Sequence, residues 1–581
     1  MTFASVTGKR WIFKKFDNND AKKYSEIYFL DEIVCKLLAV RKKNIKNIGF
    51  YIEPTIKNLL PNPFRLKDMK VAIERTFKSI QRKEIIGIFG DYDVDGATSV
   101  ALLSRYFMSI KQKIHTYIPD RKKDGYGPNI KSFNNLINLG INVIFTVDCG
   151  TSSFEPIRIA QEKKVDVIVL DHHQGQIQMP NACAIVNPNR VDDSSELNYL
   201  CAAGVCFVFL AALNKKLRES NWFKENSIKE PNILNFLDLV SLGTVCDVVP
   251  LIDLNRAFVK QGLKILKKRS NLGLKTLYDL CKKDSQPTTY DLGYNLGPRI
   301  NAGGRVGKAS HGVELLLCDE PQKAYQLATD LDKSNQERKS IELLLIEQVK
   351  NEVKKFHNHP VLVLFGNNWH EGVIGIVASR IKDKFNKPTF LISLSNNQGK
   401  GSARSINGFD VGTQIINAVQ LGILQKGGGH KMAGGFSIKK ENIALFRDYL
   451  IKNYEKLKLN TTDNDNLYID SILAPSAINE EFYEKINCLA PFGSGNSEPN
   501  FMIENLKVLN SKIVAENHIK SILLGNDGSI VKTFAWNAVN TPLEFALNEK
   551  NKKKINVTGK MRLNEWKGKR NIEFIIEDLT I

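Results

Sequence analysis

Three short runs of β-branched and aromatic residues constrain this chain most, because each ends on acidic or imidazole side chains. Ile85–Phe89, Val143–Val147 and Val167–Leu170 are apolar and bounded by turn residues. That is the pattern of strands buried on both faces of a parallel sheet. The first runs into Asp91, Asp93 and Asp95 in "GDYDVDGATSVALL", the second into Asp148, and the third into Asp171, His172 and His173. From Ala97 to Ile110 apolar residues recur at helical spacing, so the three carboxylates of the first run occupy a strand-to-helix turn. Crowded carboxylates raise one another's pKa unless a cation holds them. Taken singly, each feature has a plainer reading: an Asp after a strand caps a helix, and a His pair lies in a loop or a satisfied core. Open parallel sheets bind ligands beyond the carboxyl ends of their strands. Three strands delivering Asp and His to one edge, with Asp247 following the apolar "SLGTVC", point jointly to a metal site. Carboxylate with imidazole and no thiolate suits Mn²⁺ or Mg²⁺ better than structural zinc. Five or six ligands exceed the needs of one such ion, so two ions sharing a carboxylate fit the count, an arrangement suited to phosphoester hydrolysis.

The rest of the chain sets this edge in context. At 581 residues several domains are expected. Residues 1–50 are mixed and Lys-rich and read as an N-terminal segment. From 51 to 265 strands alternate with helices, with Ile114–Ile118 and Ala184–Val186 as further strands, which predicts a mostly parallel α/β domain. The apolar helical pattern of 233–249 runs until Gly243. Residues 266–357 read as a helical connector; the stretch 322–359 contains neither Gly nor Pro, and one or two long helices are expected there. A second α/β lobe follows over 358–459, with strands at "HPVLVLFG", Pro388–Ser393 and Gly434–Ile438 and the glycine-rich "GKGSARSINGFD" and "KGGGHKMAGGF". The stretch Asn460–Asn466 reads as a linker, and 460–581 as a small barrel of short strands.

A formal charge of +20 favours an anionic partner, nucleic acid first. Nine cysteines are scattered without a C-x-x-C pair, which fits small core fillers in a reduced cytoplasm rather than a disulfide scaffold. The start "MTFASVTGKRWIFKKF" lacks an apolar signal core, and no run is long enough for a membrane span.

"DYDVDG", "VDCG" and "DHH" in this order resemble the DHH phosphoesterase family, and "GSARSINGFDV" with "GGGHKMAGGF" resembles its associated second domain, DHHA1. "LPNPFRLKDMKVAIERT", "PDRKKDGYG", "GTVCDVVPL", "GPRINAGGRVG", "WHEGVIGIVASR" and "PFGSGNSEPNF" are similar to the RecJ branch, the single-strand-specific exonucleases. The resemblance implies two α/β lobes, DHH and DHHA1, joined by a long helix, with a C-terminal OB-fold-like barrel. It implies Asp93, Asp95, Asp148, His172, His173 and Asp247 as the ligands of a two-metal centre, with Asp148 bridging and Asp91 in a supporting or packing role. Phe89 stands where DHH phosphatases often carry a His, which leaves the division of ligands between the ions open.

Four arginines beside glycines, Arg121, Arg299, Arg305 and Arg404, offer a substrate pocket together with Asn301 and Ser402. The planar fork of Arg suits a terminal phosphate, and the resemblance implies that some of these hold the 5′-terminal phosphate. His430 is similar to a substrate-binding His near the scissile phosphate, or is structural in its glycine-rich turn. In the tail Phe534, Trp536, Trp566 and Phe574 are candidate stacking platforms, with Trp536 and Trp566 favoured. The activity expected is 5′→3′ hydrolysis of single-stranded DNA in recombination and repair, by a monomer working with a helicase and a single-strand-binding protein. The rivals are a DHH oligoribonuclease or nucleotide phosphatase, whose chains are shorter and lack the barrel, and a non-catalytic single-strand-binding scaffold, against which the full ligand set argues.

Overall fold

The computed structural model describes residues 5–42, 45–121, 125, 127–281, 286–457, 466–548, 553–566 and 569–581. The chain forms two compact units. One comprises Met1–Leu60, Val248–Gln261 and Thr461–Ile581, the other Pro61–Asp247 and Gly262–Asn460.

In the larger unit five parallel strands form the first sheet: β1 (Ile86–Gly90), β2 (Ile114–Tyr117), β3 (Val143–Val147), β4 (Asp166–Leu170) and β5 (Ala184–Val186), in the order β2-β1-β3-β4-β5. The register is what places the site. Gly90 lies opposite Val147, and Val147 opposite Leu170, so Asp91, Asp148 and Asp171 leave the sheet level with one another. Strands β1 and β3 are buried throughout, as their unbroken apolar character requires. Helix α1 (Val94–Ser109) packs close to β1, because a Cβ on Gly90 would stand 2.2 Å from Val100 Cγ2, and one on Gly96 2.4 Å from the Asp91 carbonyl.

Helix α2 spans Ala202–Glu219 and α3 spans Leu237–Cys246. The expected stop at Gly243 does not occur. Gly243 sits inside α3 because a Cβ there would fall 2.7 Å from Asp95 Oδ1 and 2.6 Å from Thr98 Oγ1; it permits close approach rather than a chain reversal. A π-helical stretch, Asp291–Leu296, leads into α4 (Gly297–Arg305). The Gly- and Pro-free stretch is one helix, α5 (Pro321–Phe356), of 36 residues and about 54 Å at 1.5 Å per residue.

The second lobe holds a five-stranded mixed sheet of β6 (Leu362–Asn367), β7 (Thr389–Ser395), β8 (Gln398–Arg404), β9 (Lys426–His430) and β10 (Ala433–Lys439), ordered β9-β10-β8-β7-β6, with helix α6 (Ile374–Phe385) covering β7 and β8. The sequence did not reveal β8 or β9, whose glycines argue against strands. Packing explains them: a Cβ on Gly401 would meet the Phe436 ring at 2.1 Å, and one on Gly427 would meet Ile415 at 2.5 Å.

In the smaller unit β11 (Ser471–Leu473), β12 (Phe501–Val514), β13 (His518–Leu524), β14 (Ile530–Ala535), β15 (Ile555–Trp566) and β16 (Lys569–Thr580) form one sheet, and pairing of β12 with β15 closes five of them into a barrel. The N-terminal stretch is not a segment apart. Val34, Leu37 and Leu38 share a core with Leu506, Leu523 and Phe574, and Arg10–Phe13 pairs with Asn466–Ile469. Arg256 is buried in this unit, its guanidinium donating to the carbonyls of Tyr51, Leu489, Ala490 and Pro491 and stacking 3.8 Å from the Tyr51 ring. Residues 460–465 of the expected linker lie outside the described residues, as does the side chain of Trp566. Among the described residues no helix is long and apolar enough to cross a membrane.

Candidate metal and phosphate site

At the carboxyl edge of the first sheet the structure brings together Asp91, Asp93, Asp95, Asp148, His172, His173 and Asp247. Three overlapping groups, Asp91/Asp93/Asp148, Asp148/His172/His173 and Asp95/His172/Asp247, each have ligand atoms within 4.8 Å of one another. His172 Nε2 lies 3.2 Å from Asp148 Oδ1, 3.6 Å from Asp247 Oδ2 and 3.8 Å from Asp95 Oδ2. Asp91, expected in a supporting role, belongs to one of the groups.

Backbone N–H groups hold the anions. Asp95 accepts from the amides of Ala202 (2.6 Å) and Ala203 (3.0 Å) at the start of α2, and Asp93 caps α1 through the amide of Gly96 (3.0 Å). Asp171 accepts from the amides of Thr151 (3.1 Å), His172 (2.8 Å) and His173 (3.2 Å), and meets His173 Nδ1 at 2.8 Å. A carboxylate on one ring nitrogen fixes the tautomer that presents the other. Asn187 donates to the His173 carbonyl and Asn189 to the His172 carbonyl, at 2.8 and 2.5 Å. These three supports escaped the sequence reading. The signals were present: Asp171 adjoins the His pair, and "NPN" directly follows β5.

The electrostatics fit a divalent cation. Burial, then Asp93, push the Asp95 carboxyl up to about 6 and the Asp91 carboxyl up to about 8; burial, then Asp95 and Asp93, push Asp247 up to about 9. Asp148 is held well above the carboxylate range by burial and by Asp93. Asp91 Oδ1 is buried and has no hydrogen-bond partner among the described residues. Carboxyls driven to hold protons by one another are the groups a metal ion deprotonates on binding. Burial, then His173, lower His172 to about 4, which keeps it a neutral ligand. Burial opposes the charge of His173, but Asp171 outweighs it and raises the ring to about 9. Across the site His430 stacks on His173, ring centroids 5.9 Å apart, and partial desolvation with the charge of His173 lowers its pKa.

A guanidinium cluster adjoins the acids. Tyr92, between Asp91 and Asp93, has the Arg121 guanidinium 5.3 Å from its ring centroid. Arg305 donates to the Gly372 carbonyl (3.1 Å), and burial, Arg121 and Arg404 lower it to about 10. Arg404 reaches Ser402 Oγ at 3.3 Å and the Ala403 carbonyl at 2.8 Å; burial and Arg121 lower its pKa too. Like charges gathered this closely call for an anion. Gly375, at the start of α6, makes the room: a Cβ there would lie 2.9 Å from Ser402 Oγ and 3.2 Å from Arg404 Nη2. Arg299 has a different partner, Asp332 at 2.8 Å, and Asn301 is half-buried on the same helix. In the barrel Trp536 is exposed and packs with Phe534 and His518 at 4.6 and 4.8 Å, whereas Phe574 is fully buried and belongs to the core.

Family profiles described as "DHH family, N-terminal domain", "DHHA1 domain" and "RecJ OB domain" match residues 85–244, 358–456 and 469–578. The chain is 34% identical over 559 residues to the single-stranded-DNA-specific exonuclease RecJ of Haemophilus influenzae, covering 92% of this chain and 94% of that one. To the protein of the same description from Escherichia coli it is 33% identical over 547 residues, covering 91% and 92%. The crystal structure of RecJ in complex with Mn²⁺ from Thermus thermophilus superposes with a TM-score of 0.81 at 25% identity, over 98% of this chain and 79% of that one. With the acid–imidazole edge, the glycine-rich lobe and the barrel in one chain, this protein belongs to the RecJ family of DHH phosphoesterases.

Proposed function

We propose that this chain hydrolyses phosphodiester bonds in single-stranded DNA as a 5′→3′ exonuclease of recombination and repair. One observation carries the reading: Tyr92 joins the two clusters, flanked by Asp91 and Asp93 and lying against Arg121. A 5′-phosphate gripped by Arg121, Arg305, Arg404 and Ser402 leaves the adjoining backbone phosphates within reach of the acids. The ligand set is Asp93, Asp95, Asp148, His172, His173 and Asp247, with Asp91 in reach of Asp93 and Asp148; membership of Asp148 in two of the three groups supports its bridging role. Two divalent ions, Mn²⁺ or Mg²⁺, supply when bound the Lewis acidity that activates water and offsets charge on the leaving oxygen.

The side chains of this protein do the remaining work. Asp171 meets Nδ1 of His173 and so fixes the orientation of its ring beside Asp148. The arginine forks bind two oxygens at once and orient the strand end. His430, on a glycine-thinned strand against His173, donates to the phosphate about to be cleaved. The exposed Trp536 with Phe534 and His518 offers a stacking surface for unpaired bases. The enzyme works as a monomer in a reduced cytoplasm, in keeping with nine free cysteines, on strands supplied by a helicase and covered by a single-strand-binding protein.

The test is release of label from 5′-labelled and 3′-labelled single strands and from blunt duplex, with Mn²⁺. Early release of 5′ label as mononucleotide, late release of 3′ label and a resistant duplex are expected. Turnover confined to mono- and dinucleotides would instead mark a small-nucleotide phosphatase, and binding without release a scaffold.

A further inference from the structure

One buried carboxylate of the larger unit lies outside the metal edge and has no part in the chemistry above. Glu342, on α5, is only 3% exposed. Its Oε2 accepts from Nη1 of Arg338, one turn earlier on the same helix, and its Oε1 accepts from Nε of Arg380 on α6. Arg338 is buried too, and donates from Nε and Nη2 to Asn335 Oδ1 at 3.3 and 3.0 Å. Apolar side chains already pack the two helices together: Leu345 and Val349 of α5 share a core with Val377 and Ile381 of α6. A buried carboxylate between guanidiniums adds little stability to such packing, because taking the charges out of water offsets most of their attraction. What it can fix is direction, since a guanidinium on a carboxylate tolerates little rotation or sliding.

Both helices bear on the guanidinium cluster. Helix α5 supports α4, which ends at Arg305: Asp332 of α5 meets Arg299 of α4 at 2.8 Å, and a Cβ on Gly303 would lie 3.1 Å from Leu331 Cδ2. Helix α6 and the residues leading into it lie against the other members. The Gly372 carbonyl accepts from Arg305, and a Cβ on Gly375 would press on Ser402 and Arg404. Burial first, then the charges of Arg121, Arg404 and Arg338, lower the pKa of Arg305, so Arg338 is within electrostatic reach of the cluster. The Glu342–Arg380 pair therefore joins the helix that supports Arg305 to the helix that covers Arg404.

We infer that Glu342 is a positioning residue for the phosphate grip: by holding Arg380 it sets α6 on α5, and with it the spacing of Arg305 from Arg404 and Ser402. This rests on the proposed exonuclease reading and deepens it. Glu342 acts through the arginines and not on the strand. A terminal phosphate held by groups from separate elements needs those groups at one separation, and a small error there is costly. A 5′-hydroxyl end offers the cluster no terminal phosphate, so its binding should depend far less on that spacing. Glu342 would thus determine specificity for the phosphorylated end rather than the rate of the chemical step.

The experiment uses the full chain and short single strands that differ only in a 5′-phosphate or a 5′-hydroxyl. KM and kcat are measured with Mn²⁺, and binding of 3′-labelled strands is measured by fluorescence anisotropy without metal. Tighter binding of phosphorylated strands by the unaltered protein, without cleavage under Mn²⁺, would refute the exonuclease reading while the binding arm still judges Glu342. No preference for the phosphate in either arm would leave no grip to set and would overturn the inference. Arg380→Gln leaves Arg338 and Glu342 as a balanced buried pair, so the melting temperature should stay within a few degrees of the parent. It is expected to raise KM on phosphorylated strands roughly 5- to 20-fold, less than the 100-fold that a misplacement of about 1 Å can cost, with kcat and the values for 5′-hydroxyl strands within about twofold. Arg380→Lys should recover part of the loss, keeping the charge without the fork. Glu342→Gln, which leaves two guanidiniums on a neutral amide, should show the same phosphate-selective loss, and a larger one. In the background of Arg404→Ala, Arg380→Gln should add almost nothing, since the fork to be placed is gone. Equal loss on both strands would make Arg380 a direct backbone contact, and a lowered melting temperature with unchanged KM would make the buried pair structural; either would overturn the positioning role.

Discussion

The two lobes of the larger unit hold opposite charges by opposite halves of the peptide group. In the first lobe carboxylates sit just beyond level strand ends and are held by N–H groups: Asp95 by Ala202 and Ala203, Asp93 by Gly96, Asp171 by Thr151, His172 and His173. In the second lobe and on α4 guanidiniums lie along the chain and donate to carbonyls: Arg404 to Ala403, Arg305 to Gly372. The first arrangement needs only parallel strands in register followed by helix starts, whose amides favour anions. The second needs a glycine on the facing helix, Gly375 of α6, so that the Arg404 fork has room. A phosphodiester end, anionic and approached by metal cations, suits the meeting of the two.

The sharpest way to break this pairing is at the shared carboxylate. Asp148→Ala should lower cleavage of single-stranded DNA by more than 100-fold, since loss of a group that merely orients a ligand already costs 10- to 100-fold. Strand binding should change far less, because the guanidinium cluster is untouched. Cleavage rates with Mn²⁺ beside fluorescence anisotropy check both. A variant retaining over about a tenth of the parent rate would remove Asp148 from the bridge.

The converse change belongs in the other lobe. Arg404→Ala should cost about 1.5–3 kcal/mol, the range for a hydrogen bond to a charged group. The loss should fall on 5′-phosphorylated strands, whose terminus carries nearly two negative charges against one on an internal diester. Arg404→Lys should recover part of it, keeping charge without the fork. KM for 5′-phosphorylated and 5′-hydroxyl strands reads the difference. Equal loss on both would make Arg404 a general backbone contact and leave end-sensing to Arg121 and Arg305.

The lobes also differ in how far the sequence announces them. Strands β3 and β5 begin and end where apolar periodicity sets them, and β1, β2 and β4 within a residue or so, because a strand buried on both faces is written in consecutive apolar residues. The clustering of Asp93, Asp95, Asp148, His172 and His173 follows from strand order alone. Asp171 as the His173 support does not, because it depends on which way a side chain turns at the strand end. Strands β8 and β9 stayed hidden because their glycines answer to partners far along the chain, Phe436 for Gly401 and Ile415 for Gly427. Arg299 and Arg305 lie six residues apart in one glycine-flanked motif, yet it is Arg305 that feels the charges of Arg121 and Arg404, while Arg299 pairs with Asp332 on α5. The N-terminal helices were silent for a related reason: their apolar faces meet the barrel core more than 400 residues away.

The smallest effect sharpens the comparison most, because it tests the room that glycine makes rather than a charge. Gly375→Ala would bring a methyl to within 2.9 Å of Ser402 Oγ and 3.2 Å of Arg404 Nη2. Both are ends of side chains that can swing aside, so the fold should be little changed and the melting temperature should stay within a few degrees. The fork, however, would be displaced by a few tenths of an ångström from Ser402, and a bidentate grip is sensitive to such a shift. A loss of about 1 kcal/mol, or roughly fivefold in KM, is expected on 5′-phosphorylated strands, with 5′-hydroxyl strands almost unaffected. The effect should vanish in the background of Arg404→Ala, since the methyl then has no fork to displace. Additive losses in the double variant would show that Gly375 acts through packing of α6 on the sheet instead, and the glycine-made room would then be structural rather than a determinant of end recognition.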